Sequence, residues 1–236
     1  MHYRVLSFDL DGTLVDTAEE IALSANRALA DVGLPPQPLA RIERCIGHGA
    51  RQMMLRLLAE LFLEQPSWVE RVRVEQVLAR LEHHYADCAG TCVRPYPGAL
   101  ATLAQLNEHG VRVACLTNKE ERFARRVLEA AGLSQALALL IGGDSLPQCK
   151  PSPQPLRHLI QRLGGEPYEA AHVGDSAVDV QTARAAGVAA WAVPWGYNGG
   201  EPVTLAQPDR LFESLPAVAA HVLAGHRVHV ATCPVV

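Results

Sequence analysis

The apolar positions of this chain follow two different periods. At the start, Val5, Leu6, Phe8 and Leu10 form a nearly continuous apolar run that stops at Asp11-Gly12. Such a run predicts a strand from about Tyr3 to Asp9, covered on both faces and closed by a turn. From about Thr17 to Ala89 the spacing becomes helical. Ile21, Ala25, Ala28, Leu29 and Val32 recur on one face, and Gly33 stands where a helix would be capped, just ahead of Pro35-Pro36. Further helices are predicted over Leu39–Ile46, Ala50–Leu63 and Pro66–Ala89, with no strand pattern between them.

Beyond Pro95 helix and strand alternate. Pro97-Gly98 opens a helix that ends near His109-Gly110, and Val111–Leu116 is a short apolar strand ending in Thr117-Asn118. Glu120–Ala131 is a helix closed by Gly132, Leu137–Ile141 a strand, and Pro153–Leu163 a helix. Ala170–Val173 is a strand ending in Gly174-Asp175, followed by a helix over Ala177–Ala186 and a strand over Val188–Val193. A last short strand is predicted at Asp209–Phe212 and a last helix at Leu215–Leu223. Alternation of this kind predicts an α/β fold with a mostly parallel sheet flanked by helices. The simplest organisation places residues 1–15 and 93–225 in one core and residues 16–92 in an all-helical insertion. Residues 226–236 form a tail without an assigned role.

Composition narrows the class. The chain has 236 residues, 49% of them hydrophobic and 19% charged, which suits one sizeable core with a small accessory part. A net charge of -4 lacks the basic footprint of a nucleic-acid binder. No apolar run reaches the roughly 20 residues of a membrane span. The first strand begins by about Tyr3, so no cleavable leader and a cytoplasmic location are expected. The six cysteines are scattered without a disulfide-framework spacing. His83, His84, Cys88 and Cys92 cluster in sequence but match no common zinc spacing.

In an open α/β sheet, ligands bind beyond the carboxyl ends of the strands. The predicted strand ends carry Asp9 and Asp11, then Thr117 and Asn118, then Gly174, Asp175 and Asp179, with Lys150 in an intervening loop. Asp9 and Asp11 are two apart in an extended segment and face one side. Two carboxylates so close repel unless a cation lies between them, and magnesium is the usual hard ion beside phosphates. Asp175 could supply a further ligand. One carboxylate could also act as a nucleophile that forms an aspartyl-phosphate, with the second as general acid and base. Gly12 permits a sharp turn and close backbone approach. The Thr117 hydroxyl, backbone N–H groups near Asn118, and the Lys150 ammonium suit phosphoryl oxygens. Thr117 and Asn118 equally suit a helix cap.

Asp9-Leu10-Asp11-Gly12-Thr13, Leu116-Thr117-Asn118-Lys119, Lys150-Pro151 and Gly174-Asp175-Ser176-Ala177-Val178-Asp179 resemble the four ordered motifs of the haloacid dehalogenase superfamily. The resemblance spans about residues 3 to 224. It implies a Rossmann-like core with a helical cap inserted after the first motif. It implies Asp9 as nucleophile and Asp11 as acid and base, with Thr117 and Lys150 also catalytic. Gly12, Thr13, Asn118 and Lys119 would surround the phosphate. Magnesium would be held by Asp9, the Asp11 carbonyl and Asp175. Ser176 and Asp179 would support the site, Asp179 through the metal's water shell or by orienting Lys150.

Phe8–Thr17, Pro95-Tyr96-Pro97-Gly98, Thr117-Asn118-Lys119, Ala183–Gly187 and Trp195-Gly196-Tyr197 are further similar to phosphoglycolate phosphatases. That similarity implies hydrolysis of a small phosphate ester such as phosphoglycolate, by a monomer or homodimer with no nucleic-acid or membrane partner. In the insertion, Gly47, His48 and Arg51 could meet the substrate, since arginine suits a carboxylate; the same glycines equally suit a simple helix junction. Sugar or amino-sugar phosphates are alternative substrates, and a phosphosugar mutase is an alternative reaction. The absence of lysine before Glu108 counts against the mutase. Dehalogenation is disfavoured because dehalogenases of this fold lack the second aspartate. A non-catalytic phosphate-binding protein is disfavoured by the apparently complete motif set.

Overall fold

The computed structural model describes residues 2–230. In chain order the strands are β1 (Val5–Phe8), β2 (Val15–Asp16), β3 (Arg94–Pro95), β4 (Arg112–Leu116), β5 (Leu139–Ile141), β6 (Ala170–Gly174), β7 (Ala189–Ala192) and β8 (Arg210–Leu211). The helices are α1 (Ala18–Asp31), α2 (Leu39–Glu43), α3 (Ala50–Glu64), α4 (Val74–Cys88), α5 (Ala99–Glu108), α6 (Glu121–Ala130), α7 (Gln154–Arg162), α8 (Ala177–Ala186) and α9 (Leu215–Val230).

Six strands form one parallel sheet in the order β5-β4-β1-β6-β7-β8. Successive strands build outward from β1 on one side and then, from β6, on the other, so the strand order reverses between β1 and β6. A crevice opens at such a switch point, outside the carboxyl ends. The sheet is buried on both faces, which explains the unbroken apolar run of β1. Leu6 and Phe8 join a cluster with α5, α6 and α9, while Val5 points the other way into a cluster with α7 and α8. The result is a Rossmann-like α/β/α core.

Helices α1 to α4 bury a cluster of their own, including Ile21, Leu29, Ile42, Met53, Leu57, Leu81 and Tyr85; Phe123 of α6 is the core residue that joins it. The chain enters and leaves this helical layer through a two-residue antiparallel pair, with Val15 opposite Pro95 and Asp16 opposite Arg94. A ladder so short has no alternating pattern to betray it. Among the described residues no helix is long and apolar enough to cross a membrane.

Three boundaries differ from the sequence expectation by more than two residues. The stretch expected as one helix from Pro66 to Ala89 is a 3-10 turn at Pro66–Trp68, a non-helical link, and then α4. The link places Val72 in the cluster of the helical layer. Helix α2 stops at Glu43, not Ile46. Helix α9 runs on to Val230 instead of ending near Leu223, which takes residues 226–230 out of the expected tail. Gly225 costs only about 1 kcal/mol inside a helix, and no proline follows until Pro234. The remainder of that tail lies outside the described residues.

Candidate active site

Asp9 follows β1 directly, and its N–H donates to the carbonyl of Val173 in β6 (2.9 Å). The sheet therefore fixes its backbone at the switch point. Asp175 follows β6, and Thr117 follows β4. Carboxylate oxygens of Asp9, Asp175 and Asp179 all lie within 4.8 Å of one another, the one such group of potential metal-binding side chains among the described residues. The ammonium of Lys150 stands 2.8 Å from Asp9 Oδ1 and 2.6 Å from Asp179 Oδ1.

Burial sets the electrostatics. It pushes the Asp9 carboxyl up to about 7, against the opposing pull of Lys150. It pushes Asp175 well above the usual carboxylate range too, helped by the charges of Asp179 and Asp9. Burial works against Lys150's charge as well, but Asp179 and Asp9 outweigh it and hold the ammonium above its ordinary range. Asp179 behaves oppositely to its neighbours. Lys150 and His172 overcome its burial and keep it below the usual range.

The three carboxylates are not equivalent as metal ligands. Asp179 Oδ1 accepts from Lys150 and from His172 Nε2 (3.2 Å), and Oδ2 accepts from the N–H (3.1 Å) and hydroxyl (2.6 Å) of Ser176. Its oxygens are filled by protein donors. Asp175 is instead oriented by single donors, the Thr13 hydroxyl (3.0 Å) on Oδ1 and the Tyr197 N–H on Oδ2. Glycines close in on its Oδ2: a Cβ on Gly12 would lie 2.3 Å from that oxygen, and one on Gly196 would lie 2.1 Å from it. Gly12 also has φ of 83°, a left-handed turn suited to glycine. Two buried carboxylates driven toward protonation, one of them approached closely by two glycines, fit a divalent cation with oxygen ligands.

Asp11 lies apart from this group. Its Oδ1 accepts from the Thr17 hydroxyl (2.5 Å) and from Lys119 Nζ (2.6 Å). Thr117 is buried, and its hydroxyl oxygen accepts the N–H of Lys119 (3.1 Å). The Asn118 amide nitrogen donates to the carbonyls of Gly47 (3.1 Å) and Lys150 (3.0 Å), tying the helical layer to the core loop. A pocket above these groups is lined by Asp9, Asp11, Thr117, Asn118, Lys119, Asp175 and Ser176 from the core. Ile21, Ile46, Gly47, Gly49, Met53 and Tyr85 line it from the helical layer.

The expected site residues are thus divided. The pocket collects Asp9, Asp11, Thr117, Asn118, Lys119, Asp175, Ser176 and Gly47. Thr13 is fully buried with its hydroxyl on Asp175, and Lys119 turns its ammonium to Asp11. His48 and Arg51 do not line the pocket. Helix α3 starts at Ala50, and Ala50 and Met53, three apart, share the pocket-facing side. Arg51 is turned into an adjoining groove with Glu82, Tyr85 and Glu120. In the His–Cys segment, His84 pairs with Asp31 (2.8 Å) and Cys88 accepts from Arg27.

Several contributors escaped the sequence reading. Tyr197 joins Asp175 to the entry of the helical layer, since its hydroxyl donates to Asp16 and accepts the N–H groups of Thr17 (3.0 Å) and Ala18 (3.1 Å). Ser7 and His172 pair across β1 and β6 beneath the site, with 3.0 Å between Oγ and Nδ1. A polar residue inside each apolar strand was the available signal. Glu20 offered none.

A family model described as a haloacid dehalogenase-like hydrolase matches residues 3–187. A phosphoglycolate phosphatase of Cupriavidus necator is 43% identical over 90% of this chain and 90% of its own length. The phosphoglycolate phosphatase of Haemophilus influenzae is 37% identical over 89% of this chain and 94% of its own. The crystal structure of a predicted phosphoglycolate phosphatase from Haemophilus somnus superposes with a TM-score of 0.85 at 29% identity, covering 94% of this chain and 98% of that one. Fold, site and relatives together define an enzyme, a phosphoric monoester hydrolase. The chain belongs to the haloacid dehalogenase-like hydrolase family.

Proposed function

We propose that the protein is a magnesium-dependent phosphatase that hydrolyses a small phosphomonoester, phosphoglycolate first among them, through an aspartyl-phosphate on Asp9. The observation that carries this reading is the place of Asp9, at the strand-order reversal on the pocket floor, 2.8 Å from Lys150 and grouped with Asp175. The names of the similar enzymes point to the same substrate.

In the first step an Asp9 oxygen attacks phosphorus, and the bond to the ester oxygen breaks. The leaving alkoxide takes a proton from Asp11. Thr17 and Lys119 occupy Asp11 Oδ1, so Oδ2 is the oxygen left to carry that proton. In the second step Asp11 takes a proton from water, whose oxygen attacks the aspartyl-phosphate; the P–O bond to Asp9 breaks and phosphate leaves. Lys150 holds Asp9 in place, and Asp179 holds Lys150. The Thr117 hydroxyl and the N–H groups beside it supply donors for phosphoryl oxygens. Asp9, the Asp11 carbonyl and Asp175 would hold magnesium, which supplies charge neutralisation for the phosphoryl group.

The helical insertion, residues 16–92, acts in this reading as a cap that selects the leaving group. Ile21, Ile46, Met53 and Phe123 give the pocket an apolar wall with few partners for sugar hydroxyls, which favours a short leaving group. The amino end of α3, without a side-chain cap, borders the pocket at Gly49 and Ala50 and suits a small carboxylate. The free, buried thiols of Cys45, Cys88 and Cys115 accord with a reducing, cytoplasmic setting. Phosphate release from phosphoglycolate, sugar phosphates and nucleotides, with and without magnesium, tests the reading. A kcat/KM highest for a sugar phosphate would reject the assigned substrate.

A further inference from the structure

We infer that Lys119 and Glu20 are a positioning pair: Lys119 fixes the carboxylate of Asp11, and Glu20 of the helical layer fixes Lys119, coupling that layer to the group that moves the proton. The inference rests on the phosphatase reading above.

The first observation is compositional. The chain holds 21 lysines and arginines together, but Lys119 and Lys150 are its only lysines. Everywhere else positive charge is carried by arginine. Both lysines are buried, and each lies within 3 Å of an aspartate of the first motif. An ammonium is a compact point charge, and a guanidinium is a broad planar fork. Lys150 lies on Asp9 and Asp179. Lys119 lies on Asp11.

The second observation is the geometry around Lys119. Its Nζ is 2.6 Å from Asp11 Oδ1 and 3.8 Å from Glu20 Oε1, and it stands 5.3 Å from the ring centre of Tyr85. Burial works against its charge, but Asp11, Tyr85 and Glu20 outweigh that and hold the ammonium above its ordinary range. Within the pocket wall, its nearest partner is the Asp11 carboxylate.

The third observation is the position of Glu20. It is fully buried in the first turn of α1, beside the exposed Glu19. Its Oε2 accepts the N–H groups of Gly90 (2.9 Å) and Cys92 (3.4 Å), in the segment that leads back to the core. Its Oε1 has no hydrogen bond and faces Lys119. Thr17, on the segment that leads into the helical layer, donates to the same oxygen of Asp11 as Lys119 does. Both connecting segments therefore converge on Asp11, one through Thr17 and the other through Glu20 and Lys119. A displacement of the helical layer would move the donors that place Asp11.

The test uses Lys119→Met, Glu20→Gln and the double variant, assayed on phosphoglycolate and on ethyl phosphate, an uncharged-tail ester of similar size. Lys119→Met is expected to lower kcat about 100-fold on both esters alike, and Glu20→Gln about 10-fold, with KM little changed. The double variant is expected to be no worse than Lys119→Met alone, because Glu20 acts through Lys119. With only two lysines, protein labelled with 15N-lysine gives two side-chain ammonium signals, and Glu20→Gln is expected to shift the one that Lys119→Met removes.

A loss confined to phosphoglycolate would assign Lys119 to the substrate carboxylate and overturn the proposal. So would losses that multiply in the double variant, or a lower Tm with unchanged kcat. Should Lys119→Met fail to fold, Glu20→Gln decides: an unshifted ammonium signal with unchanged kcat overturns the pair. Should the wild type release phosphate from neither ester, the assigned substrate fails, and the ammonium shift alone decides whether the pair exists.

Discussion

The ammonium of Lys150 and the carboxylate of Asp179 lie 2.6 Å apart, both buried. That pair decides how the acidic cluster is divided. Asp179 accepts from Lys150, His172 and Ser176, which in the proposed reading leaves it to hold Lys150 against Asp9. Asp179→Asn keeps the shape but leaves the buried ammonium short of one counter-charge. Breaking a buried pair in this way costs about 3–5 kcal/mol. Urea unfolding of Asp179→Asn is expected to show a loss of that order, together with a fall in kcat of about 100-fold.

The glycines around Asp175 make a separate prediction. A Cβ on Gly196 would fall 2.1 Å from Asp175 Oδ2. Gly196 is not in the left-handed region, so alanine there acts through its clash with Asp175, whose Oδ2, Cγ and Cβ would all lie within 2.4 Å of the new methyl. Gly196→Ala is expected to weaken magnesium binding at least about 10-fold, in line with the effect of disturbing groups that orient a ligand. Calorimetric titration with magnesium would check it. Unchanged affinity would remove Asp175 from the ligand set.

Proton linkage gives a third. Without a cation, burial pushes Asp9 up to about 7, above its unfolded value. A carboxylate raised on folding binds more protons in the folded state, so its contribution lowers stability as pH rises from about 4 to about 7. A bound cation needs the ionised form and reverses that trend. Magnesium is therefore expected to raise Tm more at pH 8 than at pH 5.5, and to release protons at the lower pH. Equal Tm gains at the two pH values would contradict the assignment of Asp9 as a ligand.

Tyr197 is expected to matter through its hydroxyl. In Tyr197→Phe the N–H groups of Thr17 and Ala18 lose an acceptor, although Asp16 Oδ1 still reaches Ala18 N at 3.2 Å. The Asp16 contact serves Ala18 alone, so the Thr17 N–H is left without its partner, and an unpaired buried donor gives an expected loss of about 1–3 kcal/mol. Thermal unfolding measures it.

Much of this molecule was legible because the chemistry sits at strand ends. Val5–Phe8 and Ala170–Gly174 are buried on both faces and read as apolar runs, so the aspartates that follow them stood out. Residues on helices were harder to place. Glu20 is fully buried and Glu19 exposed, yet the two are adjacent acids in the first turn of one helix, and only packing against Gly90 and Cys92 separates them. Arg51 read as a substrate group by its chemistry, but the start of α3 at Ala50 turns it out of the pocket. Lys119 read as a phosphate ligand by its neighbours in the motif, and it folds back onto Asp11, a residue 108 positions earlier. The β2–β3 pair was invisible because two residues per strand carry no period.

The central claim is that the phosphoryl group passes through Asp9. Acid quench of a single turnover with 32P-labelled phosphoglycolate, followed by peptide mapping, tests it directly. The account predicts transient, hydroxylamine-sensitive label on the peptide that carries Asp9, and none in Asp9→Asn. Label on a different residue, or phosphate release by Asp9→Asn at the wild-type rate, would contradict it.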